Sequence, residues 1–145
     1  MTDKNLVSEL LSTVDRYRCV HRKLHEVNRL SMSDMLVFGA VLRAEKENLP
    51  PPKMSKIARH ADVTTAAISQ IAAQLEQKEL VERYSMPGDR RTVYVRITDK
   101  GREFYEAEVR HSQEMMQKAI EQMGEERAAQ YLALSREFQQ IVREL

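Results

Sequence analysis

Met54-Ser55-Lys56-Ile57-Ala58-Arg59-His60-Ala61, then Asp62-Val63, then Thr64-Thr65-Ala66-Ala67-Ile68-Ser69-Gln70-Ile71-Ala72-Ala73-Gln74-Leu75 is the stretch that decides the fold. The first segment reads as a short helix with Ile57, Ala58 and Ala61 turned inward and Ser55 as its early cap. Asp62-Val63 leaves room only for a turn. Thr64 can cap a second helix, expected to run to about residue 78, in which Ile68, Ile71, Ala72 and Leu75 recur at helical spacing and form the buried face. Thr65, Ala66, Ser69, Gln70, Ala73 and Gln74 are left on the outer face.

The next segments change period. Leu80-Val81-Glu82-Arg83-Tyr84 and Thr92-Val93-Tyr94-Val95-Arg96-Ile97 alternate as half-buried strands do. Between them Met86-Pro87-Gly88-Asp89-Arg90-Arg91 supplies turn chemistry, with Pro presetting one dihedral and Gly tolerating positive φ. Thr98 and Asp99 then open another helix as cap and first-turn acid. Helix, tight turn, helix and hairpin in this order make a winged helix-turn-helix.

The small, hydrogen-bonding outer face, with Thr64 at its head, suits entry into a DNA major groove. Gln can pair with adenine, and Ser, Thr and Ala can meet base edges or thymine methyls. A helix packed on a neighbour through small residues has the same pattern. Arg90 and Arg91 at a hairpin tip repel each other unless phosphates or a narrow minor groove receive them; the plain alternative is a solubilising turn.

Outward from this module the chain is helical. Leu6, Leu10, Val14, Tyr17, Leu24 and Val27 form an apolar stripe over residues 5–28, widened by Leu11 and Val20. A second helix is expected after Ser33 as cap and to end before Pro50-Pro51-Pro52, which supply no amide donors and fix an extended connector. Beyond Gly101 one helix should reach Met123, stop at Gly124, and be followed by another from Glu125. The expected division is 1–32 as an N-terminal dimerisation helix, 33–100 as the DNA-binding domain and 101–145 as C-terminal dimerisation helices. The fold class is mainly α with a small β-hairpin wing. Stripes this apolar favour association, since burial of one such side chain gains roughly 1.5–3 kcal/mol. A two-fold dimer would present two readers about 34 Å apart to a palindrome; the alternative is packing of the three helices within one monomer.

The 145 residues contain four Gly, four Pro and 31% charged residues, which suits a mostly helical, soluble protein. No run of 18 apolar residues marks a membrane span, and the N-terminus has no signal-peptide core, so a cytoplasmic location is expected. Net charge is +1, yet residues 53–102 hold ten Lys/Arg against six Asp/Glu, leaving −3 for the remainder. A phosphate-binding module needs that polarity. No phosphate loop, HExxH or nucleophile elbow is present, so no enzyme and no cofactor are expected.

Asp89-Arg90-Arg91 followed by Val95-Arg96-Ile97-Thr98-Asp99-Lys100-Gly101, together with Ile57-Ala58, Val63-Thr64 and Leu75-Glu76-Gln77-Lys78-Glu79-Leu80-Val81-Glu82-Arg83, resembles the MarR family of bacterial transcriptional regulators. The resemblance extends from about residue 6 to residue 145. It implies a homodimeric regulator of double-stranded DNA, a repressor released by a small-molecule inducer. It implies a recognition helix opening at Thr64, a wing arginine at Arg91 that reaches the minor groove, Asp89 as its acidic partner, and Arg90 on phosphates. Two positions depart from the family. Glu79 stands where Gly is frequent, at a cost of roughly 1 kcal/mol if the backbone there is left-handed, and Gln70 stands where Arg is common.

Some relatives sense oxidants or metals. Cys19 is one thiol, expected to be a buried structural cysteine. His21 and His25 share a helix face and His111 lies on a helix that could approach them, but two ligands without a defined third make no zinc site. A metal- or thiol-responsive regulator, or a helical adaptor that binds protein instead of DNA, are the alternative readings.

Overall fold

The computed structural model describes residues 4–145. Six helices and one hairpin follow in the order α1 (Lys4–Leu24), α2 (Met32–Lys46), α3 (Met54–Ala61), α4 (Thr65–Gln77), β1 (Val81–Met86), β2 (Asp89–Ile97), α5 (Asp99–Met123) and α6 (Glu125–Glu144). The chain is mainly α with a two-stranded antiparallel hairpin, as expected. It divides into two compact units at Val109, within α5.

The first unit is built on Val37, Phe38, Ile68, Leu75, Leu80 and Val81, all of them fully buried. They come from α2, α4 and the start of the wing, so one core holds the helix-turn-helix and the base of the hairpin together. Phe38 also stacks on Tyr105 of α5, with ring centroids 5.7 Å apart. Ile57 and Ala58 close the core from α3, while Ala61 is half-buried at its edge.

Local signals set the helix ends. Ser31, not Ser33, caps α2: its Oγ accepts from Asp34 N–H while the Asp34 carboxylate accepts from Ser31 N–H, a reciprocal box. Asp34 stands three residues after Ser31, the spacing a reciprocal box requires, and that spacing identifies the cap. Lys53 occupies the N-cap position of α3 without a side-chain bond, so Ser55 lies inside the helix. Thr64 caps α4 as expected, its Oγ1 accepting from Ala67 N–H at 3.1 Å. α1 stops at Leu24, short of residue 28.

The reason for that early stop is tertiary. Asn28 leaves the helix so that its side chain donates to the Phe104 carbonyl (3.1 Å) and its backbone N–H to Glu108 Oε1. Glu108, on α5, is fully buried, and its Oε2 has no hydrogen-bond partner among the described residues. His25 Nδ1 lies 3.7 Å from that oxygen.

α4 ends in a left-handed turn. Glu79 has φ 61°, with Leu80 N–H donating to the Leu75 carbonyl and Glu79 N–H to the Glu76 carbonyl. The two bonds and the positive φ make a Schellman exit. The condition attached to Glu79 in the sequence is thus met, and a non-glycine residue carries the strain. The exit is locked onto α5. Thr98 Oγ1 donates to the Glu79 carbonyl (2.7 Å) and accepts from Gly101 N–H (3.0 Å), and Lys100 Nζ donates to the Lys78 carbonyl (3.0 Å). A Cβ on Gly101 would lie 1.9 Å from the Leu80 carbonyl oxygen, so only glycine fits there.

The second unit, residues 110–145, contains the rest of α5 and α6, separated by Gly124 at φ 89°. No residue of α6 is buried; Tyr131, Leu132, Leu134, Phe138, Ile141 and Val142 are exposed. In the first unit α1 is likewise without a buried residue, and Leu6, Leu10, Val14, Tyr17 and Val20 are exposed along it. Cys19 is exposed too, contrary to the expectation of a buried thiol, because the helix that carries it has no buried face in the single chain.

Two substitutions at the joint should move stability in opposite directions in thermal unfolding. Glu79→Gly should raise Tm by relieving a left-handed residue, a gain of about 1 kcal/mol before the flexibility of Gly in the unfolded chain is counted. Gly101→Ala should lower Tm by the equivalent of at least about 1–3 kcal/mol, because the clash is with backbone that cannot rotate away.

Candidate nucleic-acid interface

The residues singled out in the sequence fall on α4 and on β2. Thr64, Thr65, Ala66, Gln70 and Gln74 are exposed on α4, and Ser69 and Ala73 are half-buried beside them. Ile68, Ala72 and Leu75, on the opposite side, are buried. The helix therefore shows solvent a row of small and amide side chains at the end where its amides are unpaired and its dipole is positive.

The wing is longer than the alternation implied. β1 continues to Met86, only Pro87 and Gly88 form the turn, and Asp89, Arg90 and Arg91 belong to β2. The register pairs Val81 with Ile97, Arg83 with Val95 and Tyr84 with Tyr94, with an irregularity before Met86 and Asp89. Gly88 has φ 86°, as a tight turn requires. Asp89 Oδ1 accepts from Arg91 N–H (3.0 Å) and Thr92 N–H (3.2 Å), fixing the backbone from which both arginines project. The Thr92 side chain, then the Arg91 and Thr92 amides, hold the Asp89 carboxyl below its usual value.

Charge separates these arginines from the other cations of the hairpin and joint. Arg83 is paired with Glu76, Arg96 with Glu82, Lys100 with Glu79 and Arg102 with Glu45. Arg90 and Arg91 have no ion-pair partner among the described residues and are exposed. Arg96 also lies over the Tyr84 ring at 4.4 Å, and Tyr84 stands beside Tyr94.

Glu76 and Arg83 carry a geometry that the sequence reading passed over. The Glu76 carboxylate, in the last turn of α4, accepts from Arg83 backbone N–H and from Arg83 Nε, both at 2.8 Å. These two bonds, the backbone one foremost, lower the Glu76 pKa. Opposite charges seven residues apart across a helix–strand junction were the available signal.

The histidines divide. The rings of His21 and His25 are 4.5 Å apart at centroid, on one helix face as expected. Among the described residues no group of three or more His, Cys, Asp or Glu is arranged to hold a metal ion. His21, Arg22, His25, Glu26 and Arg29 line an open groove of about 720 Å³ with Leu30, Ser31 and Met32 at its far end.

With this geometry in view, residues 47–93 match the MarR family model. The matched stretch contains α3, α4, β1 and the wing arginines. An uncharacterized HTH-type transcriptional regulator of Bacillus subtilis, YhbI, is 26% identical over 94 residues, covering 63% of this chain and 61% of the relative. The chain thus spans less than two thirds of that relative's length. Among solved structures, Staphylococcus aureus MepR in complex with DNA superposes with a TM-score of 0.60 at 20% identity, covering 95% of this chain and 98% of that one. Bordetella bronchiseptica BpsR, described with regulation of its DNA binding by 6-hydroxynicotinic acid, superposes with a TM-score of 0.68 at 16% identity over 94% and 99%. At such identities the structures establish a shared fold.

Acid should report on both carboxylates of this domain. Their folded-state pKa values are lowered, so the stability they contribute is present above the ordinary values of 4.5 and 3.8 and is lost as pH falls through the lowered ones. Between about pH 5 and about pH 3 the parent chain should lose more stability in denaturant titrations than a Glu76→Gln/Asp89→Asn variant. Equal acid sensitivity would show that neither carboxylate's lowered pKa contributes to folding stability.

Proposed function

We propose that this chain is a sequence-specific, double-stranded-DNA-binding transcriptional regulator that works as a homodimer. The observation that carries the reading is the pairing pattern of the cations. Every arginine and lysine noted at the hairpin base and joint is neutralised by a glutamate, whereas Arg90 and Arg91 at the tip stay unpaired on a backbone fixed by Asp89. Unpaired cations on a wing that follows an uncharged helix face suit a phosphate and groove contact accompanying a base-reading helix.

In this reading α4 enters the major groove. Thr64 and Thr65 approach the backbone at its N-terminus, and Ala66, Ser69, Gln70, Ala73 and Gln74 meet base edges. Arg91 enters the minor groove and Arg90 meets a phosphate. The MepR–DNA complex supports the plausibility of such docking for this fold. The exposed apolar rows of α1 and α6 are the surfaces proposed for dimerisation, and two readers related by a two-fold axis would favour a palindromic operator. Repression relieved by a small ligand is the regulatory mode proposed, by analogy with the ligand named for BpsR.

Selection of bound fragments from random duplex DNA, followed by affinity measurements over a salt series, tests this directly. A palindromic consensus is expected. Arg91→Ala should weaken binding and reduce the magnitude of the log Kd against log salt slope by about 1. Gln70→Ala should alter sequence preference more than overall affinity. Enrichment of no duplex at low salt would defeat the regulator reading in favour of an adaptor. Sedimentation equilibrium should give a dimer mass, with Tm rising with chain concentration.

A further inference from the structure

We propose that Glu76 is a positioning residue for DNA binding, holding the wing at a fixed angle to the reading helix through Arg83; this rests on the DNA-binding reading above. β1 is an edge strand of a two-stranded sheet. The Arg83 N–H is donated to Glu76, so it points away from β2 to the open edge. A carboxylate from α4 thus stands where a third strand would supply its acceptor. The second bond, from Arg83 Nε, makes the contact a two-point clamp between helix and strand.

The lever explains why such a contact bears on DNA. The turn at Gly88 stands five residues beyond Arg83. At about 3.3 Å per residue that is roughly 16 Å, so a tilt of about 10° at Arg83 would move the wing arginines by roughly 3 Å. Hydrogen bonds tolerate displacements of only about 0.5 Å. The covalent path from α4 to β1 runs through Lys78, Glu79 and Leu80, and it fixes where β1 begins. The Glu76 clamp acts on β1 beyond that point. As an exposed ion pair it contributes little to stability, so its removal should be felt in the wing's aim more than in folding.

The test is a double-mutant cycle on the full chain. Affinity is measured for an operator duplex recovered by random-duplex selection, using the parent, Glu76→Ala, Arg91→Ala and the double variant, with Tm as a control. Glu76→Ala should weaken binding about tenfold, within the range spanned by coupled residues. In the Arg91→Ala background the same change should cost about twofold or less, because the wing contact it serves is already gone. Glu76→Gln keeps one oxygen for the Arg83 N–H and should fall between; if Glu76→Ala does not fold, the cycle is run with Glu76→Gln. Unchanged affinity in the single variant, or an equal fold-loss in both backgrounds, overturns the positioning role while leaving the DNA reading intact. Absence of duplex binding by the parent chain overturns the DNA reading itself.

Discussion

The Leu80 carbonyl lies so close to Gly101 that no β-carbon can come between them. This contact fixes the relation of three elements at one point: the end of α4, the first residue of the wing and the first turn of α5. Thr98 bonds the same exit from the other side, through its hydroxyl to the Glu79 carbonyl and its N–H to the Leu80 carbonyl. A helix exit satisfied by another helix's cap is stiff, because the Leu75, Glu76, Lys78 and Glu79 carbonyls at the end of α4 already have donors. The exit also accounts for the strain tolerated at Glu79. A left-handed turn is needed for β1 to reverse beneath α4, and its cost is offset by bonds that exist only in that conformation.

Much of this was legible in the sequence, for local reasons. Thr64 as a cap, the stop at Gly124, the start at Glu125 and the hairpin all depend on residues within one or two turns of each other. The left-handed condition at Glu79 came instead from the resemblance, in which glycine is frequent at that position, and its φ of 61° meets it. What escaped was set by residues distant in sequence. α1 ends early because Asn28 is drawn to Phe104 and Glu108, some 76 and 80 residues away. Nothing in the sequence separates Glu108 from the other charges of α5, yet it is fully buried. Cys19 failed in the other direction: apolar spacing implies burial, but the spacing does not say against what, and within one chain that face stays open. Of the candidate site, the α4 face and the arginines could be named from residue type alone. Their support could not, because the Glu76–Arg83 clamp joins a helix side chain to a strand amide that the sequence does not display as free.

Charge placement shows a division of labour. Arg83, Arg96, Lys100 and Arg102 are each matched by a glutamate, and these exposed pairs add little stability individually. Their effect is to cancel charge where the protein packs on itself and leave it uncancelled at the tip. The +4 excess of residues 53–102 thus falls on cations outside these pairs: Lys53, Lys56 and Arg59 at α3, Lys78 at the exit of α4, and Arg90 and Arg91 in the wing.

Asp89 and Glu76 then have complementary tasks. Each is an acid whose charge is held by backbone N–H groups, one at the tip of the wing and one at its root. An acid beside two arginines would ordinarily weaken an anion site. Asp89 avoids this by spending its near oxygen on the Arg91 and Thr92 amides, not on a guanidinium, so the arginine side chains stay unpaired while their backbone is fixed. Glu76 does the reverse, engaging the Arg83 guanidinium as well as its amide. The same side-chain chemistry thus yields an immobilised cation at the root and an available one at the tip, and the difference lies only in which donors reach the carboxylate first.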